Sequence, residues 1–333
     1  MIKLSVLDQS PIAEGSTTIE AFSNTVRLAQ EVEQLGYTRF WVSEHHDSTS
    51  LAGSSPEILI SHIAAKTNRI RVGSGGVMLP HYSPYKVAEN FRVLEALYPN
   101  RIDLGVGRAP GGMPIATRAL QEGKMISIDQ YPEQIQDLSL YLHDRLPDNH
   151  RFAHLHAAPT IPTAPDLWLL GSSGESAMIA AKQGTAFTFA QFINSYGGPE
   201  IIKNYQNQFQ PSFLGEKPQS IVAIFVICAE TEEKAQKIVS SLDLALLLIE
   251  QGVRSTGTPS IERALNYPYS AFDFLRIKEN RKRMIVGNPH QVKEQISALS
   301  KVYNTEEFMI VTITHDFEDK LNSYRLLAEA FQL

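Results

Sequence analysis

Cysteine occurs once in the 333 residues, as Cys228, so no disulfide can form within the chain. Its setting, SIVAIFVICAE, reads as a buried strand rather than as the surroundings of a reactive thiol. No stretch reaches the roughly 18 consecutive apolar residues of a membrane span. The opening MIKLSVLDQSP has no charged segment leading into a long apolar one, so no secretion signal is expected there. Positive charge is also scarce: 30 Lys and Arg stand against 36 Asp and Glu, a net charge of −6 with the signs interspersed. That balance supplies no footprint for nucleic acid and no polybasic run for an anionic membrane. A small-molecule partner and a reducing, cytoplasmic setting are expected.

What is present is alternation. Apolar strand-like runs alternate with segments of helical period. KLSVLDQSP (3–11) precedes a helix over 18–35 with Phe22, Val26, Ala29, Val32 and Leu35 on one face, stopped by Gly36. RFWVSEH leads to SPEILISHIAAKT, where Ser55 can cap and Pro56 suits a first turn. IRVGSGGVMLP leads to SPYKVAENFRVLEALYP, and RIDLGVGRA to a helix between Thr117 and His143. DLWLLGSS with GESAMIAAKQG, TAFTFAQFIN with GPEIIKNYQNQF, QSIVAIFVICAE with TEEKAQKIVSSLDLALLLIEQG, and EFMIVTITHD with EDKLNSYRLLAEAFQ complete eight units. The series predicts one α/β domain over 1–333, a (β/α)8 TIM barrel, rather than two nucleotide-binding halves. Two stretches depart from it: 146–165, rich in Pro and His, reads as an irregular insertion before strand five, and 252–286 as a lid at the C-terminal face.

In such a barrel the chemistry belongs at the C-terminal ends of the strands. Strand two ends in Glu44-His45-His46. Consecutive residues of an extended strand point to opposite faces, so the two rings cannot both ligate one ion while the pleat persists. No H-E-x-x-H spacing accompanies them, and HLH (154–156) sits in the irregular insertion, so no metal is expected. The glycines of GSGG (73–76) suggest close approach of a ligand, or else a simple bulge. GVGRAPGG (105–112) departs from G-x-G-x-x-G in spacing and is not followed at once by a helix. LLGSSGES (169–176) is more informative: a strand ends in Gly171, and a helix then presents its N-terminal N–H groups, a cradle suited to phosphate. Arg108 and Arg118 can neutralise a dianion from the side, although Ser-Gly before a helix is also ordinary capping chemistry.

Together WVSEHH, the run GSGGVMLPHYSPYKVAENFRVLEALYPNRIDLGVGRAPGG, TRAL, GSSGESAMIAAKQG and VGNPHQVKEQI make the chain resemble the bacterial luciferase-like flavin monooxygenases over nearly its whole length. The resemblance implies reduced FMN at the C-terminal mouth, reacting with O2 through a flavin C4a-(hydro)peroxide to oxygenate a small organic substrate. It implies a cis peptide at Gly75-Gly76 against the flavin ring, with Gly107 nearby. The phosphate site falls on Arg108, Arg118, Ser172, Ser173, Gly174, Glu175 and Ser176. The catalytic histidine falls on His45, with Glu44 and His46 in support. A separate NAD(P)H:flavin reductase and a homodimer are further expectations of the likeness. Two departures matter: Gly107 stands where luciferase itself has a reactive cysteine, which argues against light emission, and AQFIN and AIFVICAE bring no basic residue for a sulfonate. A deazaflavin-dependent dehydrogenase and a non-catalytic flavin-binding protein are the alternatives on the same barrel, and the presence of His45 disfavours the second. Tyr267, Tyr269, Phe272 and Phe274 in the 252–286 stretch suit either an apolar guest or packing of that stretch onto the barrel.

Overall fold

The structure is a computed structural model that describes residues 2–123 and 128–333. Short apolar runs bounded by turns form the strands, and capped amphipathic segments form the helices. In chain order the elements are β1 (Lys3–Asp8), α1 (Thr18–Gln34), β2 (Arg39–Val42), α2 (Pro56–Lys66), β3 (Arg71–Met78), α3 (Pro84–Leu97), β4 (Ile102–Gly107) and α4 (Pro114–Leu120). Then come α5 (Tyr131–Leu142), β5 (Asp166–Gly171), α6 (Gly174–Gln183), β6 (Ala186–Ala190), α7 (Gly198–Gln208), β7 (Ser220–Cys228) and α8 (Glu232–Glu250). The chain ends with α9 (Ile261–Leu265), α10 (Ala271–Arg281), β8 (Met284–Gly287), α11 (Pro289–Tyr303), β9 (Glu307–Val311) and α12 (Phe317–Phe331). Local chemistry sets the helix starts. Thr17 and Glu20 close a capping box on α1, Thr231 accepts from the Lys234 N–H on α8, and Pro56, Pro84 and Pro289 occupy first turns.

All strand pairings are parallel, and the order β1 to β7 followed by β9 returns to β1, closing an eight-stranded barrel ringed by helices. The eighth barrel strand is therefore β9, the EFMIV run expected for it. An additional strand, β8, lies in VGNPHQVKEQI and its approach, where the eight-unit reading had none. Phe225 pairs with Val311 of β9 and with Met284 of β8, so β8 takes the edge of β7 that β6 leaves after Ala223. The stretch 146–165 carries no helix or strand. The stretch 252–286 holds α9 and α10 and runs into β8. Tyr267 and Tyr269 pack against Leu244, Leu248 and Ala264, and Tyr269 also meets Phe274. Phe272 is exposed.

Alternation along the strands separates two apolar clusters. Val6, Phe40, Val42, Val72 and Leu104 face the helices, whereas Leu7, Trp41, Trp168, Ala223 and Met309 belong to a second cluster that includes the bore. The N-terminal end of the bore is polar and closed by charge. Asp103, wholly buried, accepts from Arg39 Nη1 at 2.9 Å on both oxygens, from Arg71 Nε and Nη2 at 2.8 and 2.6 Å, and from Trp41 Nε1 at 2.8 Å. Arg39 Nε donates to Glu307 at 2.9 Å, Ser5 Oγ donates to the same oxygen at 2.6 Å, and the guanidinium lies 4.8 Å from the Trp168 ring centre. One carboxylate thus ties β2, β3 and β4 together.

Removing it leaves the Trp41 N–H with no acceptor and strips both guanidinium groups of a shared one, Arg39 keeping Glu307 and Arg71 keeping Asp166 and the carbonyls of Asn100 and Ile102. Asp103→Ala is expected to destabilise the fold by about 3–5 kcal/mol, the scale for breaking a buried ion pair from one side. The midpoint of denaturant unfolding measures this, and a loss under about 1 kcal/mol would show that the remaining carboxylates and water replace Asp103.

Candidate active site

The mouth of the barrel is shaped first by β3. Its register with β4 slips between Gly75 and Val77, and the Gly75–Gly76 peptide is cis. Ser74 Oγ donates to the Gly105 carbonyl at 2.8 Å and accepts from the Gly105 N–H at 3.0 Å, which holds the two backbones together. A Cβ at Gly76 would stand 2.7 Å from the Gly105 carbonyl oxygen, and one at Gly105 would stand 2.1 Å from the Ser74 oxygen. Neither backbone atom can step aside, so both positions require glycine. At Gly75 the obstacle is the tip of Leu7, 2.7 Å away. Gly107 is different, because its Cβ would meet nothing closer than the Met78 sulfur at 3.8 Å.

Over this floor opens a cavity of about 530 Å³. Leu7, Trp41, Met78, Leu170, Phe192 and Met309 make its wall largely apolar, and Gly75, Gly76 and Gly107 let the space reach the backbone. The buried hydroxyl of Thr188, also in the wall, has no hydrogen-bond partner among the described residues. One side is polar: Gly171, Ser172, Ser173 and Ser176 line it, together with Arg108 at the end of β4. Gly171 allows α6 to start tightly against β5, since a Cβ there would lie 2.4 Å from Ser176 Cβ. The N-terminus of α6 carries no side-chain cap from Ser173. The hydroxyls of Ser172, Ser173 and Ser176 are not engaged with other described residues, and the helix N-terminus adds partial positive charge. Donors of this kind beside one arginine can hold an anion.

Glu175 enters this corner by its side chain: its carboxylate stands 2.6 Å from Arg108 Nη2. That contact, first as a hydrogen bond and then as a charge, holds its carboxyl below the ordinary range. Arg118, on α4, is exposed and lies outside the cavity wall, with no ion-pair partner among the described residues.

Glu44, His45 and His46 follow the end of β2 and also stand outside the wall. Glu44, 1 % exposed, accepts from the Met78 N–H at 2.9 Å and the Tyr82 hydroxyl at 2.7 Å, and meets His46 Nε2 at 2.7 Å. Its carboxylate thereby fixes the end of β3 directly beyond the Gly75–Gly76 peptide. The His46 N–H donates to the Gly111 carbonyl, joining the loop after β4 to the same cluster. His45 turns to the opposite side, where Nδ1 meets Ser43 Oγ at 3.0 Å. Burial, with a smaller contribution from His46, pushes its pKa down to about 4. The imidazole is therefore neutral at pH 7, not poised near neutrality as an unperturbed histidine would be. Sequence reasoning missed the inward-facing wall residues Leu7, Trp41, Leu170, Thr188 and Met309, although the period of two along each strand carried the signal.

A closed parallel barrel with one largely apolar cavity at the C-terminal mouth and an anion-binding corner has the design of a small-molecule enzyme. The chain belongs to the luciferase-like monooxygenase family, whose model matches residues 2–305. It is 62% identical to the uncharacterized protein YwcH of Bacillus subtilis (strain 168), over 99% of both chains. It is 41% identical to the N-acetyl-S-alkylcysteine monooxygenase of the same organism, over 99% of this chain and 98% of that one. Among solved structures, apo-MsnO8 superposes with a TM-score of 0.92 at 39% identity, over 100% of this chain and 99% of the other.

The depressed His45 pKa has a consequence for stability. Between about pH 6.5 and pH 4 the unfolded chain carries a proton on this ring that the folded chain lacks, so the contribution of His45 to stability falls as pH is lowered through that window. Denaturation curves are expected to lose this part of their pH dependence in His45→Gln. An unchanged slope, or an imidazole that titrates near 6.5 by NMR, would contradict the burial argument.

Proposed function

We propose that the protein is an FMN-dependent monooxygenase that takes reduced FMN and O2 and oxygenates a small, largely apolar organic substrate. The observation that carries this reading is the single cavity wall that joins an apolar bore, the Gly75–Gly76 floor and the polar corner of Arg108, Ser172, Ser173 and Ser176. These features fit a flat ring with a phosphorylated side chain. A side chain at Gly76 would obstruct the floor, and the unengaged serine hydroxyls face the corner where a phosphate needs donors.

The phosphate would be held by Arg108, Ser173 and Ser176, with Ser172, the backbone of Gly174 and Glu175, and Arg118 completing the site. Reduced FMN, when bound, supplies the two electrons with which one atom of O2 enters the substrate and the other leaves as water. The chain's own contribution is position and dryness: Leu7, Trp41, Leu170, Phe192 and Met309 keep water from the reacting face. His45 acts as a neutral hydrogen-bonding group at the catalytic end, and Glu44 and His46 hold the backbone around it. The 252–286 segment serves as cover, tied to the loop after β6 by Arg283 Nη1 donating to the Ile193 carbonyl at 3.1 Å. A separate NAD(P)H:flavin reductase supplies the reduced flavin, and the protein acts in the cytoplasm. A homodimer forms on the face where Ile58 of α2 and Val93 and Leu97 of α3 are exposed. The 41% identical relative makes S-alkyl thioethers the first substrates to try.

Two measurements test the assignment. FMN should quench in titration with the protein while the deazaflavin cofactor does not, and Ser176→Ala should weaken FMN about three- to tenfold, the net cost of one ordinary hydrogen bond. Turnover of thioethers with reduced FMN under 18O2 should then place one labelled atom in the product. Binding of the deazaflavin in preference to FMN would sink the reading.

A further inference from the structure

We propose that Glu175 is a competitor built into the anion corner: its carboxylate occupies Arg108 and must yield when a phosphate arrives, so the flavin is held loosely enough to exchange. This rests on the phosphate-site reading above and adds to it a residue that opposes binding.

Three observations carry the inference. Among the described residues Arg108 is the only cation in the cavity wall, and its one ion-pair partner is Glu175, at 2.6 Å. Glu175 itself is outside the wall, with a side chain 64% exposed, so it reaches the corner from solvent and can swing away without opening the core. It also sits in the first turn of α6, where a carboxylate is favoured by the same partial positive charge that would attract a phosphate. Ion pair and phosphate thus draw on one arginine and one helix end. With both side chains charged, the pair offers a dianion no net positive charge, and neutralising Glu175 restores one. The lowered carboxyl pKa is consistent with a pair that stays charged at neutral pH.

A loosely held phosphate suits a flavin that is delivered reduced and leaves oxidised at every turnover. The same geometry admits an opposite role, in which Glu175 orients Arg108 toward the phosphate, and the two make opposite predictions. Glu175→Gln keeps the length of the side chain and the helix turn while removing the charge. FMN and riboflavin binding are measured by fluorescence titration for the wild-type chain, E175Q, R108Q and the double variant. E175Q should bind FMN about three- to tenfold more tightly, the range of one net hydrogen bond gained by the arginine at this partly solvent-screened site. Riboflavin, which lacks the phosphate, should bind the wild type and E175Q alike, and the gain should vanish in the R108Q background. Equal or weaker FMN binding by E175Q overturns the proposal in favour of an orienting role or none. A gain shared by riboflavin, or one that persists without Arg108, overturns it as well. Failure of every form to bind FMN would instead remove the phosphate-site reading, and this inference with it.

Discussion

No side chain can stand at Gly76 or Gly105, because the backbones of β3 and β4 run too close together where the barrel opens. Much of the site depends on that constraint. Ser74 bridges to both backbone groups of Gly105, the register slips one residue later, and the strand emerges with a bare backbone floor under the cavity. The displaced end of β3 then needs a new acceptor for the Met78 N–H, and the buried carboxylate of Glu44 provides it. Glu44 in turn holds Tyr82 and His46, so His46 is tied to this backbone irregularity, whereas His45 meets Ser43 instead.

Charge is distributed along the barrel axis in a way that separates stability from chemistry. At the N-terminal end, Arg39, Arg71, Asp103 and Glu307 satisfy one another inside the bore, where isolated ions would be costly. The middle is apolar. At the C-terminal end the ion pair in the corner, Arg108 with Glu175, is partly exposed and reversible. A barrel closed by charge below and kept dry in its centre can present a mostly apolar cavity above without a hole through the molecule.

Much of this was legible from residues. The β/α alternation gave the barrel and all eight of its strands by their order, with EFMIV as the last, because strand and helix periods are local properties of side-chain spacing. The Ser-Pro and Thr-x-x-Lys helix starts were legible for the same reason. MIVG, by contrast, is only four residues and follows at once on a charged helical run, so it read as part of the 252–286 segment; it is a strand because β7 outlasts β6 and leaves an edge to be paired. Glu44 and His45 could be located at the end of strand two, but their partners lie on β3, in the turn after it and on Ser43, contacts that spacing does not encode.

The sequence by itself determined the fold class, the strand ends at which polar residues collect, and the glycines that mark the close approach of β3 and β4. Those follow from periodicity and from the absence of a Cβ, which are properties of the residues alone. Tertiary structure decided the rest: that His45 is half-buried and neutral, that Glu44 serves the backbone of β3, and that Arg108 is already matched by Glu175. Burial and charge pairing depend on which distant segments are brought within a few ångströms, and only closure of the barrel does that.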